Sequence, residues 1–191
     1  MRNVCVYHLP DSADFSGPMT IALYNGASAD FEGILVHAPS CTALNVTDRS
    51  HVAFKDSALV GFQMFAVLQH GSQLTMENTV VTGIEYATLC VRDSTVSATK
   101  CRFDMAEPMN FISNSVGKFD GCRFERRSDP GHVGRPGNEI CTNIRVSSSF
   151  TAERSCFLGF GYVASPLGSV RRSCNIYTDP ERCYTDFQKR M

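Results

Sequence analysis

Tryptophan is absent from this 191-residue chain, and the formal net charge is only −1. A near-neutral chain has no global field to attract nucleic acid. Without tryptophan or a groove-long row of other aromatics, stacking on sugars has little to build on. No run of 18 apolar residues occurs, so no membrane-spanning helix is expected. The first ten residues, MRNVCVYHLP, lack the continuous apolar stretch of a secretory signal. None of the nine cysteines forms a C-x-x-C pair, and none stands at zinc-type spacing from a histidine. No glycine-rich phosphate loop joins a strand to a helix. The expectation is a protein with no cofactor, no metal, no nucleic acid and no membrane partner.

What is present is a period. Ser28, Ser50, Ser72 and Ser94 are spaced by 22, 22 and 22. Alternating apolar residues follow each anchor: Val52, Phe54 and Leu59; Leu74, Met76 and Val81; Val96, Ala98 and Phe103. The pattern continues more loosely, with Cys101 and Phe103 seven and nine residues after Ser94, and Cys122 and Phe124 seven and nine after Ser115. Cys156 and Leu158 stand in the same relation to Ser149, and Cys174 and Ile176 to Leu167. A second strand precedes the anchors in TALNV (42–46), FAVLQ (65–69), ATLCV (87–91) and NFIS (110–113). Four residues before the anchors lie Tyr24, Val46, Leu68, Cys90, Phe111, Arg145 and Val163. This reads as one inward column, because strand side chains alternate with period two; Arg145 breaks it. Phe31 and Phe150 fit only if the register slips by one.

A fixed period of this length, built from strands, means a solenoid whose turns bury a core only by stacking. The reading is all-β: a single-stranded right-handed parallel β-helix, pectate-lyase- or tailspike-like, of about seven turns. At roughly 4.8 Å per step, six steps give a rod about 30 Å long. A β-sandwich is the runner-up and would need no constant period. One domain spans 1–191, with repeat turns over about 20–178. An inserted loop at 125–139, ERRSDPGHVGRPGNE, has glycine and proline but no apolar period. A short C-terminal helix is expected at 179–191, with Asp179 as N-cap, Pro180 at N1 and Cys183, Tyr184, Phe187 and Met191 on one stripe. It would cover the open end of the stack.

Surface chemistry is sparse. Asp104 and Glu125 fall ten residues after their anchors on neighbouring turns, and Arg102 and Arg123 stack two residues earlier. Paired carboxylates can cleave a glycosidic bond, but acids stacked beside arginines more often form an exposed ion-pair ladder. His8, His37, His51, His70 and His132 are scattered and coincide with no acid or nucleophile. The inserted loop concentrates Arg126, Arg127, His132 and Arg135, which are the partner-binding candidates. Cys101, Cys122, Cys156 and Cys174 recur at one place in the repeat and are expected as a reduced, buried structural ladder. With thiols reduced, the sequon Asn45-Val46-Thr47 would carry no glycan.

The turns VRDSTVSATKCRFDM (91–105) and VGKFDGCRFERR (116–127) close with cysteine, one residue, then phenylalanine, and CTALNVTDRSHVAFKDS (41–57) begins CTAL. Over roughly residues 40–176 this resembles the β-helical region of the adenovirus large early transforming protein (large T antigen), and the similar left-hand-end capsid knob protein of atadenoviruses. The resemblance implies a tailspike-like β-helix that is not an enzyme and has no catalytic, cofactor or metal residues. It implies either binding of host regulatory proteins in the cytoplasm or nucleus, ubiquitin-ligase recruitment included, or a trimeric decoration of the virion surface. The chain is shorter than the early protein and lacks its long acidic N-terminal region. A carbohydrate-binding or polysaccharide-processing β-helix is the alternative from another class. A third possibility is a piece of a longer protein, since strand-like sequence begins at once.

Overall fold

The computed structural model describes residues 5–7, 19–37, 39, 41–85, 88–107, 109–126, 140–145, 147–160, 162–164, 169–173 and 176–177. These form a parallel β-solenoid in which each turn visits three sheets in order. The first sheet stacks Met19–Leu23, Thr42–Val46, Met64–Leu68, Leu89–Arg92, Met109–Ile112, Ile140–Ile144 and Tyr162–Ala164. The second stacks Ser28–Glu32, His51–Lys55, Gln73–Glu77, Thr95–Thr99, Val116–Asp120, Ser149–Glu153 and Ser169–Ser173. The third runs Cys5–Tyr7, Leu35–His37, Ala58–Val60, Val80–Thr82, Arg102–Met105, Arg123–Arg126, Cys156–Leu158 and Ile176–Tyr177.

About five turns run without interruption, from Met19 to Arg126, rather than the seven counted from the anchors. The later strands extend the same sheets on the far side of 127–139. No helix occurs among the described residues, and the expected helix at 179–191 lies outside them. The loop expected from residue 125 starts later, because Glu125 and Arg126 end a strand.

Register shows why 22 residues suffice for one turn. Leu23, Val46, Leu68, Val91, Phe111 and Ile144 pair successively across the first sheet and are all buried. Val46, Leu68 and Phe111 stand where the offset from the anchor puts them. Tyr24, Cys90 and Arg145 do not: Tyr24 and Arg145 are exposed, and Cys90 is half-buried between Val67 and Asn110. The corner from Val91 to Ser94 is one residue shorter than that from Leu68 to Ser72, which shifts the offset there. At Tyr24 and Arg145 the anchor itself is displaced. Ser28 pairs with His51 and Ser149 with Val116, so Ala27 and Ser148 hold the corner instead. That one-residue slip sets Phe31 over Phe54, with ring centroids 5.0 Å apart, and Phe150 over Gly117.

The anchors are buried serines because the corner needs a small donor and acceptor. Ser94 Oγ accepts the N–H of Ser72 at 3.1 Å and donates to the Arg92 carbonyl at 2.9 Å. Ser148 Oγ accepts the Ser115 N–H at 3.0 Å, and Ser115 Oγ donates to the Ile112 carbonyl at 2.6 Å. Buried backbone groups left unpaired at every corner would be costly. At these corners the stacked hydroxyls remove that cost, whereas Ala27 offers none and Ser50 Oγ has no hydrogen-bond partner.

The corner between the second and third sheets has its own column: Ser57, Thr79, Cys101, Cys122 and Ser155. Each side chain donates to the carbonyl two residues earlier, at 2.7, 2.9, 3.2, 3.5 and 2.8 Å respectively. The residue before each is left-handed, with φ of 49° at Asp56, 47° at Asn78, 54° at Lys100, 60° at Gly121 and 47° at Arg154. One left-handed residue per turn bends the chain sharply enough to start the third sheet.

The third sheet's inner residues are Val36, Leu59, Val81, Phe103, Phe124 and Phe157, all buried. The three phenylalanines stack nearly parallel, with centroids 5.3 and 4.8 Å apart. Each buried ring contributes on the order of 1.5–3 kcal/mol relative to exposure.

Candidate functional site: the outer face of the third sheet

Strand alternation turns the neighbours of those inner residues outward, in two columns. The leading column is Leu35, Ala58, Val80, Arg102, Arg123 and Cys156; the trailing column is His37, Val60, Thr82, Asp104, Glu125 and Leu158. The face is apolar over its first turns, ionic at Arg102–Glu125 and apolar again at Cys156 and Leu158. Among the described residues Val80, 37% exposed, is one of two large apolar residues that stand out in water, the other being Tyr24. The outer face of the second sheet, by contrast, carries Thr75, Ser97, Lys118 and Thr151 in one column.

The ionic part is a connected ladder. Arg102 Nε reaches Asp104 Oδ1 at 3.0 Å, and its Nη2 bridges to Glu125 Oε2 on the next turn at 3.3 Å. Arg123 Nη2 meets the same Glu125 oxygen at 3.1 Å. Thr82 Oγ1 donates to Asp104 Oδ2 at 2.6 Å. Both arginine side chains are about half exposed, 47% and 51%, so the ladder adds little to folding stability. Asp104 accepts through both of its oxygens, and Glu125 accepts from both arginines through Oε2.

Of the partner-binding candidates, Arg126 ends the strand Arg123–Arg126, pairs with Met105 and is half-buried. Its Cβ lies 3.2 Å from where a side chain at Gly159 would begin. Arg127, His132 and Arg135 lie outside the described residues. Of the cysteine ladder, Cys101 and Cys122 occupy the corner column. Cys156 does not: it pairs with Arg123 on the outer face, and Ser155 takes the third rung and accepts the Cys122 N–H at 3.1 Å. The corner before Cys156 is set by Ser148 rather than Ser149, which moves the rung back one residue. Cys174 lies outside the described residues.

The described cysteines Cys41, Cys90, Cys101, Cys122, Cys141 and Cys156 are free thiols. Hydrogen bonding between Cys101 and Cys122 lowers the pKa of Cys101 and, with burial, raises that of Cys122. Burial also pushes the fully buried Cys141 up to about 12. Among the described residues no cluster of His, Cys, Asp or Glu could hold a metal ion. No helix among them is long and apolar enough to cross a membrane.

The apolar half of this face was missed in the sequence. Leu35, Ala58 and Val80 recur at intervals of 23 and 22, but they look like core residues until Val36, Leu59 and Val81 are known to point inward.

Comparison with protein-family models, with curated proteins and with solved structures finds no match to this chain.

Proposed function

We propose that this chain is a non-enzymatic protein-interaction solenoid of the adenovirus large-early-protein type, right-handed, acting on host regulatory proteins inside an infected cell. The observation that carries the reading lies in the C-x-F segments themselves. In Cys101-Arg102-Phe103 and Cys122-Arg123-Phe124 the cysteine closes a corner and the phenylalanine enters the core. The residue between them is an arginine on the surface. The motif is thus a device for presenting a chosen side chain once per turn, and here it presents two guanidinium groups 21 residues apart, a group favoured at protein interfaces. The strand carrying Arg123 continues to Arg126; Arg127 follows directly and Arg135 nine residues after Arg126 in sequence.

The test is quantitative capture from host-cell extract by immobilised wild-type protein and by an R126A/R127A/R135A variant. The reading expects host proteins retained by the wild type and lost by the variant, with both proteins melting alike. Equal recovery by the two would contradict it, as would cleavage of a polyuronide or neutral glycan by the wild type.

A further inference from the structure

We infer that the outer face of the third sheet binds the same face of a second copy, in a parallel two-fold dimer. The argument is one of geometry. A two-fold axis in the plane of the contact and parallel to the solenoid axis exchanges the leading and trailing columns and keeps each rung at its height. Arg102 of one copy then opposes Asp104 of the other, and Arg123 opposes Glu125. Val80 opposes Thr82, and the remaining rungs set apolar residues against Val60, Leu158 and the half-buried imidazole of His37. The columns of one sheet are about 6.6–6.8 Å apart, so each arginine lies between its own carboxylate and the partner's.

The alternative axis, parallel to the strands, reverses the rungs and keeps the columns. It would set Val80 against Arg102 and Ala58 against Arg123. The apolar–ionic–apolar order of the rungs therefore selects the parallel pairing, and the opposite sign of the two columns makes the face complementary to itself. Six rungs, three or four residues wide, offer a projected face of roughly 290–380 Å² per copy. Doubled, this stays below the ~1,200 Å² of a standard stable interface, so the association is weak and concentration-dependent. It does not depend on the host-partner reading above.

Sedimentation velocity of the full chain from about 1 to about 200 µM, where so small an interface would associate, should show a monomer–dimer equilibrium. R102E/R123E makes both columns acidic and D104K/E125K makes both basic; each alone should stay monomeric. An equimolar mixture of the two should form a heterodimer. A wild type that is monomeric throughout, or trimeric, would overturn the inference. So would a mixture that stays monomeric although both variants melt like the wild type. Should either charge variant fail to fold, V80K serves instead: monomeric V80K with an unchanged melting curve supports the contact, and wild-type association by V80K removes it.

Discussion

A side chain on Gly117 would begin 2.7 Å from Cζ of Phe111. Gly117 occupies the inward column that holds Val52, Leu74, Val96 and Phe150 on other turns. The space that valine fills one turn earlier is taken here by the Phe111 ring, which packs edge-on against Phe119 with centroids 6.4 Å apart. The core thus changes from aliphatic to aromatic packing at this level. Gly117→Val, which merely restores the residue of the turn before, should destabilise by about 1–3 kcal/mol through overpacking. Chemical denaturation measures this. A neutral Gly117→Val would mean that Phe111 does not sit where it is placed here.

Leu68 gives the opposite test, a cavity. It is fully buried between Val46 and Val91. Leu68→Ala should cost about 2–5 kcal/mol, read from the denaturant midpoint, whereas Cys90→Ala, one position from the column, should cost less. Equal costs would restore Cys90 to the core and undo the register.

That contrast marks how far the sequence could be read. Ser50, Ser72, Ser94 and Ser115 were legible because the corner takes a small buried residue each turn and strand length fixes its interval. Arg102 beside Arg123 and Asp104 beside Glu125 follow from the same interval and are paired in the third sheet. Ser28, Cys90, Ser149 and Cys156 were misplaced by one because a corner can gain or lose a residue while the stack stays in register. A period has no way to register that, whereas burial does. The corner column was misread as a cysteine feature: Ser57, Thr79 and Ser155 make the same hydrogen bond, and thiol stands in for hydroxyl at two rungs only. The apolar stretch of the third sheet's outer face stayed hidden because Leu-Val and Ala-Leu-Val runs do not say which residue points inward.

The buried thiols predict a pH dependence. Cys141 has its pKa raised from 9.0 to about 12 by burial; Cys41 and Cys122 are raised as well. An acid whose folded pKa is raised holds its proton in the native state after the unfolded chain has lost it. These raised thiols therefore leave stability unaffected below pH 9 and lower it as pH climbs from 9 towards 12, by up to about 1.4 kcal/mol per pH unit for Cys141, while the lowered Cys101 acts in the opposite sense. Denaturant titrations across that window should show the decline, and Cys141→Ala should flatten part of it. A stability profile level to pH 11 would place Cys141 in water.

The ion-pair ladder predicts a small effect on folding. Asp104→Asn with Glu125→Gln should change stability by no more than about 1 kcal/mol, because both arginines it pairs with are half exposed. The same double variant should leave the thermal transition as sharp as before. A loss of several kcal/mol would show that the ladder is a structural element rather than a surface open to exchange partners.

The central claim is that the third sheet's outer face, and not the polar second sheet, is where this solenoid makes contact. Photo-cross-linking tests it most directly. A benzophenone side chain would be placed at position 80, on the third sheet, or at position 97, on the second, in concentrated purified protein. The account predicts a covalent dimer from position 80 and monomer from position 97. Dimer from 97 with none from 80 would contradict it.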